Sequence, residues 1–408
     1  MKARIGYLIP EFPGQTHIFF WRERQVLTEL GIDTDLVSTR RPPKAIASHT
    51  WAAEAQTQTA YLAPFQSRDL FGALLQVIKA GPIGWGRCLQ LVASAPDLSL
   101  RQKSRLLAMV LVGGKLVWLG KTRGWQHIHV HSCADAANIA MFAAVLSDLT
   151  YSITLHGPTL SVYGPNQRQK WRHSEFALVI SQQLFKFVDR ELAGALPNQV
   201  AVAPMGVNLE QIKRHIPYTS PQPGQVCRIF ACGRLNPVKG HNYLISTIAS
   251  LLQRGFKVHL QIAGEDEQGG SGYHRELERM IQARSLSEHV ELLGAVSEGR
   301  IRQGLEDAHV FALASLNEGI PVSVMEAMAM ELPVVVTDVG GNSELIDSGV
   351  DGILVPSEDS DAMTEAIAQL LQDPDFACRL SRASRKKITE KFSHRRSAEA
   401  LAQCLGVL

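Results

Sequence analysis

Short apolar runs alternate along the chain with longer stretches of helical periodicity. The run at residues 310–314 (Val-Phe-Ala-Leu-Ala) predicts a buried parallel strand, and a polar turn with Glu318 and Gly319 follows it. Pro321 stands where a helix is expected to begin, because a missing N–H costs nothing in the first turn. A strand that leads into a helix in this way directs backbone N–H groups at the crevice beyond its carboxyl end, which is a ready anion site.

The same alternation is repeated through both halves of the chain and predicts parallel sheets flanked by helices. Further strands are predicted at residues 4–9, 31–38, 127–132, 151–156, 176–181, 199–204, 227–232, 257–263, 290–293, 333–337 and 353–355. Helical patterns cover residues 18–30, 70–79, 86–93, 103–121 and 134–147.

A length of 408 residues indicates two domains. Residues 216–226 contain three prolines and a glycine without periodicity, and we interpret them as the linker. The first domain is therefore predicted at 1–216, with a helical segment at 65–125, and the second begins at 217.

Charge divides the chain more sharply than its net value of +2 suggests. Residues 1–216 carry 23 Lys and Arg against 14 Asp and Glu, whereas residues 217–408 carry 18 against 25. Segment 65–125 contributes nine basic residues against Asp69 and Asp97. Two interpretations stay open: an amphipathic face that contacts anionic lipid or a lipid-linked acceptor, or a helical cap whose charges are merely solvated.

Composition excludes several other classes of protein. No window of about 18 apolar residues predicts a spanning helix, and the short apolar run after Met1 fits a first strand better than a signal peptide. Six scattered cysteines without a Cys-x2-Cys pair favour reduced thiols and a cytoplasmic protein. Nucleic-acid binding is disfavoured, because the basic segment lacks interleaved aromatic residues.

Charged side chains follow two of the predicted strands in the second half. Arg234 and Lys239 lie on the loop after strand 227–232, where cations suit a diphosphate. Glu318 and Glu326 are separated by seven residues and suit the hydroxyl groups of a sugar or ribose. The chain has neither a Gly-x-Gly-x-x-Gly nor a Walker-type motif, so nicotinamide and P-loop functions are unsupported.

The Glu-x7-Glu pattern, together with Gly233-Arg-Leu-Asn-Pro-Val-Lys-Gly240, resembles the signature of retaining glycosyltransferases of family 4. The resemblance covers most of the chain and is closest to exopolysaccharide (colanic-acid-type) transferases. It implies the GT-B fold, an α/β architecture with two Rossmann-like domains that face each other across a cleft. The second domain would then cover 217–389, and a last helix at about 390–408 would return to the first domain.

The resemblance also implies a set of site residues. Glu326 would accept hydrogen bonds from the ribose, Glu318 would bind the sugar, and His156 in Thr-x-His-Gly would lie beside the reacting sugar. Arg234 and Lys239 would stabilise the leaving diphosphate, and so His156, Glu318, Arg234 and Lys239 are the catalytic candidates. The other binding candidates are Gly14, Gln15, Gly233, Gly264, Val296, Gly319, Ile320, Pro321 and Val322.

The implied reaction moves a sugar from a nucleoside-diphosphate sugar to a glycan or lipid-linked acceptor, without a metal or other cofactor. No dedicated carboxylate nucleophile is evident, so a glycosidase-like double displacement is not supported. A nucleotide-sugar epimerase or hydrolase, and a non-catalytic sugar-nucleotide-binding protein, are the alternatives.

Two patterns raise the alternative of a metal site. Asp33 and Asp35 have the spacing of a divalent-ion pair but open a strand, away from its ligand-binding end. His127, His129 and His131 lie on one face of a predicted strand. Neighbouring histidines on that face would be about 6.6 Å apart, so two of them could share a metal. The resemblance places His131 at the crevice.

Overall fold

A computed structural model describes residues 3–14, 17–42, 51–96, 98–157, 159–222, 224–266 and 272–408. The chain divides into two compact units. The first contains the described residues up to Pro204 together with Ser397–Leu408, and the second contains Met205–Arg396.

The first unit is built on a seven-stranded parallel sheet with strand order β3-β2-β1-β4-β5-β6-β7. Its strands are β1 (Ala3–Glu11), β2 (Ile32–Arg40), β3 (Ala60–Tyr61), β4 (His127–Val130), β5 (Thr150–Leu155), β6 (Ala177–Val179) and β7 (Val200–Val202). Strand order reverses between β1 and β4, where Ile5 lies between Thr34 and His127. Such a switch point is where doubly wound sheets bind ligands.

Helices cover both faces of this sheet because each connection between parallel strands crosses over. They are α1 (Ile18–Glu29), α2 (Ala52–Gln58), α3 (Ser67–Lys79), α4 (Gly81–Ala93), α5 (Leu100–Arg123), α6 (Asp135–Val145), α7 (Gln167–Arg172) and α8 (Gln182–Glu191). Helix α5 begins at a capping box formed by Ser99 and Gln102, and ends at Gly124 in the left-handed conformation.

The second unit has a six-stranded parallel sheet of order β10-β9-β8-β11-β12-β13. The strands are β8 (Cys227–Cys232), β9 (Val258–Ala263), β10 (Val290–Gly294), β11 (Val310–Leu313), β12 (Val334–Thr337) and β13 (Ile353–Val355). The helices are α9 (His241–Gln253), α10 (Tyr273–Ala283), α11 (Glu298–Asp307), α12 (Val322–Ala329), α13 (Asn342–Leu345), α14 (Ser360–Gln372), α15 (Pro374–Lys391) and α16 (Arg395–Cys404), of which α16 continues into the first unit. The switch point lies between β8 and β11.

These sheets confirm the predicted α/β fold with two Rossmann-like domains. The boundary, however, lies at Met205 and not at residue 217. Val207 and Ile212 are buried in the core of the second unit, and Val207 exchanges backbone hydrogen bonds with Phe392 and His394. Burial against that core, rather than proline content, decides where the second unit starts.

The other boundary is at Ser397, not at about residue 390. Ala398, Leu401 and Ala402 are buried in the core of the first unit, among residues such as Ile32 and Leu36. Among the described residues, no helix is long and apolar enough to cross a membrane.

Candidate active site

The loop after β8 is held against the end of β11 in the second unit. Asn236 caps the turn that follows, since the Lys239 backbone N–H donates to its Oδ1 at 3.2 Å. Gly240 has a φ of +62°, and a Cβ there would lie 1.9 Å from the carbonyl oxygen of Ala314. The Leu316 N–H also donates to the Val238 oxygen at 2.7 Å. The two loops beside the switch point are therefore fastened to each other.

Lys239 and Glu318 form an ion pair at this point. Lys239 Nζ lies 2.5 Å from Glu318 Oε1, and Ser315 Oγ donates to the same oxygen at 2.6 Å. The side chains are only 18% and 9% exposed, which strengthens their interaction relative to a surface pair. The sequence had suggested separate roles for these two groups, whereas the structure places them in direct contact.

Close backbone contacts surround Glu318. Gly340 has a φ of +55°, and a Cβ would lie 1.8 Å from the Glu318 carbonyl oxygen. The Gly341 N–H donates to the Gly319 oxygen at 2.7 Å. Only glycine fits at Gly340, so the turn that carries Glu318 and Gly319 is fixed by the loop after β12.

Helix α12 begins one residue later than expected. Pro321 is its N-cap, with a φ of −76° and a ψ of 118°, and Val322 is the first helical residue. The N–H groups of Val324 and Met325 donate to the Pro321 oxygen. Ile320 is buried just before this cap.

Glu326 lies on α12 near the end of β8. Burial and the Glu326 carboxylate together raise the pKa of the Cys232 thiol to about 12, while Lys239 acts in the opposite direction. Both charged groups are therefore close to Cys232. Arg234, two residues further, is exposed.

The ends of β8, β9 and β10 also converge. Gly264 has a φ of +153°, and a Cβ would lie 1.8 Å from the Gly233 oxygen. The Gly264 N–H donates to the Gly294 oxygen at 2.9 Å. Val296 follows β10, half-buried against the core. The second unit thus brings its predicted residues to one edge of its sheet.

In the first unit, His156 follows β5 and is held by His131, which follows β4. His131 Nδ1 lies 3.1 Å from His156 Nε2, within hydrogen-bond distance. On its other side, His131 Nε2 lies 3.3 Å from Glu23 Oε2, although without hydrogen-bond geometry. Tyr7 donates from its hydroxyl to that same Glu23 oxygen at 2.5 Å.

Burial keeps the two histidines of this row, His131 and His156, uncharged. It lowers the pKa of His156 to about 3 and the pKa of His131 well below its ordinary value. The rings of Phe19 and Phe20 lie 5.4 and 5.2 Å from the His156 ring. His156 is therefore a neutral imidazole, which can donate or accept a hydrogen bond but carries no charge.

Gly14 and Gln15 belong to the loop after β1. The His17 N–H donates to the Gly14 oxygen at 3.1 Å, and a Cβ at Gly14 would lie 2.8 Å from the His17 ring. Gln15 lies outside the described residues.

The two metal alternatives have different outcomes. Asp35 accepts a hydrogen bond from Trp125 at 2.6 Å, and Asp33 pairs with Arg4 at 3.8 Å, so both act at the amino end of β2. Glu23, His129 and His131 each offer a ligand atom within 4.8 Å of the others, a spacing that could hold an ion.

In this second set of possible ligands, both ring nitrogens of His129 already lie within hydrogen-bond distance of hydroxyl groups. His129 Nδ1 lies 2.7 Å from Ser152 Oγ, and its Nε2 lies 2.9 Å from Thr154 Oγ1. Binding of a metal there would require His129 to break one of these hydrogen bonds.

Sequence reasoning missed Glu23, Tyr7 and Ser315. Glu23 had a detectable signal, because helical phase places it with the buried Phe20 and Val26 on one face of α1. Buried acids need a partner, so the position could have been singled out. Tyr7 and Ser315 carry no comparable signal.

Comparison with known proteins places these residues in a family context. The family model described as "Glycosyl transferases group 1" matches residues 220–387. The putative colanic acid biosynthesis glycosyltransferase WcaL of Escherichia coli (strain K12) is 29% identical over 256 residues, 61% of this chain and 61% of that protein. The amylovoran biosynthesis glycosyltransferase AmsK of Erwinia amylovora is 30% identical over 218 residues, 52% of each. The match therefore spans less than two thirds of the length of these relatives.

Solved structures match over the whole chain. Anabaena Alr3699/HepE, in complex with UDP-glucose, has a TM-score of 0.74 at 18% identity and covers 99% of this chain and 100% of that one. The sucrose-phosphate synthase of Thermosynechococcus elongatus has a TM-score of 0.72 at 18% identity, over 99% and 98%. These likenesses confirm the GT-B fold.

Proposed function

We propose that the whole chain is a retaining glycosyltransferase of family 4, because residues 220–387 match the model of group 1 glycosyl transferases. It transfers a sugar from a nucleoside-diphosphate sugar to a glycan or lipid-linked acceptor in exopolysaccharide biosynthesis, without a metal. The observation that carries this proposal is the Lys239–Glu318 pair at the switch point of the second unit. A solved GT-B structure described as a UDP-glucose complex supports a nucleotide-sugar donor.

In the proposed reaction, the basic residues stabilise the leaving group. The acceptor oxygen bonds to the anomeric carbon on the face from which the diphosphate departs, and the bond from that carbon to the phosphate oxygen breaks with its electron pair. The acceptor proton passes to the departing phosphate. Arg234 and Lys239 stabilise the charge that grows there, and they thereby replace a divalent metal.

The acidic and neutral groups hold hydroxyls. Glu318 binds the sugar while its other contacts, to Lys239 and Ser315, fix its orientation. Glu326 accepts hydrogen bonds from the ribose. His156, neutral and held by His131, orients the sugar without adding charge.

Substitution of the basic residues tests the proposal. Arg234→Ala and Lys239→Ala should each lower kcat by about a hundredfold or more, as the loss of a transition-state donor does in other enzymes. Arg254→Ala, an exposed residue paired with Glu365 in the same unit, should leave kcat unchanged. Transfer is measured by mass spectrometry of the glycan product with UDP- and GDP-sugars chosen by thermal shift. Unchanged turnover in the first two variants would overturn the phosphate role.

A chelator separates the metal-free proposal from the metal alternative. Transfer should continue after dialysis against EDTA. Complete loss, restored by a divalent ion, would instead point to the Glu23, His129 and His131 set.

We also propose that the first unit contacts anionic membrane at the cytoplasmic face. Helix α3 exposes Phe71 at 70% and Ile78 at 63%, and α4 exposes Ile83 at 74%. The acid of α3, Asp69, is neutralised by the buried Lys115 at 2.7 Å. An exposed apolar face with surrounding basic residues suits the surface of an anionic bilayer.

Vesicle flotation tests this contact. The protein should float with phosphatidylglycerol vesicles and much less with phosphatidylcholine vesicles, and added salt should weaken the association. The double variant Phe71→Ser with Ile78→Ser should stay at the bottom of the gradient, whereas Ile216→Ser, exposed in the second unit, should behave as wild type. Equal flotation of both variants would contradict the proposed contact with the membrane.

A further inference from the structure

A cleft of about 740 Å³ lies within the first unit, between α4, α6 and α7. Tyr151, the second residue of β5, contributes to its lining. His156 follows the other end of that strand, about 16 Å from Tyr151 at the rise of an extended chain. The cleft is therefore remote from the edge of the sheet at which the reaction is proposed.

The charged side chains of this cleft are basic. Arg87 comes from α4, Arg168 and Arg172 come from α7, and His173 follows α7 directly. No acidic residue is among the described residues that line the cleft, and within that part of the chain none of the three arginines forms an ion pair. Burial, and then the charge of Arg172, lower the pKa of His173, so these two side chains are close. The cleft thus carries positive charge that the described residues do not neutralise.

The two arginines of α7 are held in place by backbone carbonyl groups. They are four residues apart, so they lie on the same face of the helix. Arg168 Nη2 donates to the Ala193 oxygen at 2.9 Å, and Arg172 Nη2 donates to the Gly194 oxygen at 3.1 Å. A guanidinium group has five N–H donors, so most of them stay available to a ligand. Because the side chains are already oriented, a ligand that binds them loses less conformational entropy.

The walls of the cleft are fastened to each other. Gln169 of α7 donates from Nε2 to the Leu91 oxygen of α4 and lies within hydrogen-bond distance of Ser94 Oγ, both at 3.1 Å. Tyr151 donates from its hydroxyl to the Lys170 oxygen at 2.6 Å and so holds α7 against β5. The distance between Arg87 on α4 and the arginines of α7 is therefore set by the fold of the unit.

The chemistry of the lining selects an oxyanion. The planar fork of a guanidinium group matches two oxygens of a phosphate, and several such groups around one cleft suit a ligand with more than one negative charge. The exposed amide of Gln90 adds a neutral donor. Tyr151 is buried, and no exposed Phe, Tyr or Trp ring is among the described lining residues, so a nucleobase has no ring on which to stack. The phosphate group itself is therefore what the cleft recognises.

We propose that this cleft is an anion site separate from the transfer site, in which Arg87, Arg168 and Arg172 bind a phosphate or diphosphate group. The ligand joins α4 to α7 and thereby stabilises the first unit. Two sources carry this chemistry, a free diphosphate and the headgroup of an anionic phospholipid, since α4 also exposes Ile83 on the face proposed to contact the membrane. Binding at this site does not depend on the transferase function.

Calorimetry with inorganic diphosphate tests the cleft in the full chain. UDP at a saturating concentration occupies the proposed nucleotide site of the second unit, so the diphosphate binding that remains comes from elsewhere. Gln90→Glu, at an exposed lining position, keeps all three arginines and adds a negative charge, and it should weaken this binding by about tenfold or more. Gln403→Glu, exposed on α16, changes the net charge equally but does not line the cleft, and it should bind as wild type.

Removal of two cations should have a larger effect. The double variant Arg168→Gln with Arg172→Gln should bring diphosphate binding to background and should lose the rise in melting temperature that diphosphate produces in the wild type. Arg190→Gln, exposed on α8 and paired with Glu191 at 3.2 Å, is the control. Melting temperatures without ligand show whether the double variant is folded. If it is not, Gln90→Glu still decides, because it leaves the contacts of the arginines in place.

Vesicle flotation identifies the source of the phosphate group. Weaker diphosphate binding in Gln90→Glu identifies a free anion as a ligand, whereas reduced flotation of that variant with phosphatidylglycerol vesicles identifies a lipid headgroup. If neither measurement distinguishes Gln90→Glu from Gln403→Glu, the cleft is not an anion site.

UDP binding separates failure of this site from failure of the transferase proposal. Lys239→Ala should bind inorganic diphosphate at the cleft as the wild type does, because Lys239 lies in the second unit. If UDP does not bind but the cleft variants lose diphosphate binding, only the transferase proposal fails. If UDP binds and the cleft variants change nothing, only the anion site fails.

Discussion

At the scale of single residues, the histidines of β4 show how burial determines chemistry. His127 Nδ1 lies 2.6 Å from Thr150 Oγ1, and its Nε2 lies 2.7 Å from Ser152 Oγ. Both ring nitrogens are thus satisfied by hydroxyl groups, and burial lowers the pKa of His127 to about 3. The strand tolerates polar side chains in its core only because they are neutral and hydrogen-bonded.

This neutrality predicts acid sensitivity of the first unit. Between pH 6.5 and 3 the unfolded chain binds a proton at His127 that the folded chain does not, so stability present above pH 6.5 is lost as the pH falls. The His127 contribution to the slope is up to about 1.4 kcal/mol per pH unit. Urea unfolding followed by tryptophan fluorescence measures it, because all six tryptophans lie in the first unit.

The variant His127→Gln should flatten this dependence on pH between 7 and 5. His215→Gln, exposed in the second unit, should not change it. A slope that is the same in wild type and His127→Gln would show that the histidine is not the group responsible.

Gly340 offers a second test at a single residue. Gly340→Ala places a Cβ 1.8 Å from the Glu318 oxygen, whereas Gly349→Ala, at a φ of +80°, meets nothing within 4 Å. Both variants carry the cost of a left-handed alanine, about 1–2 kcal/mol, so their difference isolates the steric clash. We expect Gly340→Ala to abolish the thermal shift by UDP or GDP and Gly349→Ala to retain it. Equal retention would mean that the Glu318 turn does not control nucleotide binding.

At the scale of elements, a buried cation fastens α3 to α5. Lys115 Nζ donates to the carbonyl oxygens of Tyr61 and Leu62 at 2.9 and 3.0 Å and pairs with Asp69 at 2.7 Å. The side chain is buried, and these oxygens replace the water that would otherwise surround its ammonium group. This contact fixes the helix whose outer face carries Phe71 and Ile78.

Removal of that cation should destabilise the first unit. Lys115→Met leaves the Asp69 carboxylate and two carbonyl groups without their donor, at a cost of about 3–5 kcal/mol. The double variant with Asp69→Asn should recover part of this loss, since no charge is then left buried. Lys121→Met, exposed on the same helix, is the control. Urea unfolding by tryptophan fluorescence measures all three, and an unchanged midpoint in Lys115→Met would contradict the prediction.

Elements were more predictable than the contacts among their side chains. The strands of the second half and the helices at 70–79, 86–93 and 103–121 follow from periodicity over neighbouring residues, and the structure contains them. Lys239 and Glu318 are 79 residues apart, and their pairing depends on how two loops meet. The pattern of neighbouring residues along the sequence does not indicate a hydrogen bond of that kind. Similarly, proline content predicted a linker at residues 216–226. Burial of Val207 and Ile212 in the core of the second unit instead places the boundary between the units before them.

At the scale of the whole molecule, the path of the chain links the stability of the first unit to its last helix. Ser397–Leu408 belongs to the first unit, and Leu401 is fully buried in its core. Helix α15 and the residues after it up to Arg396 belong to the second unit. The unit that carries His156 is therefore completed by residues that follow the second unit in sequence.

This arrangement predicts which unit a change in α16 affects. Leu401→Ala removes a fully buried side chain and should destabilise the first unit by about 2–5 kcal/mol. Tryptophan fluorescence should report an earlier unfolding transition, because every tryptophan is in that unit. The affinity for UDP or GDP, measured by calorimetry below that transition, should stay unchanged because the predicted nucleotide contacts lie in the second unit. Gln403→Ala, exposed on the same helix, should alter neither quantity. Lower nucleotide affinity without a change in fluorescence would show that α16 acts on the second unit instead.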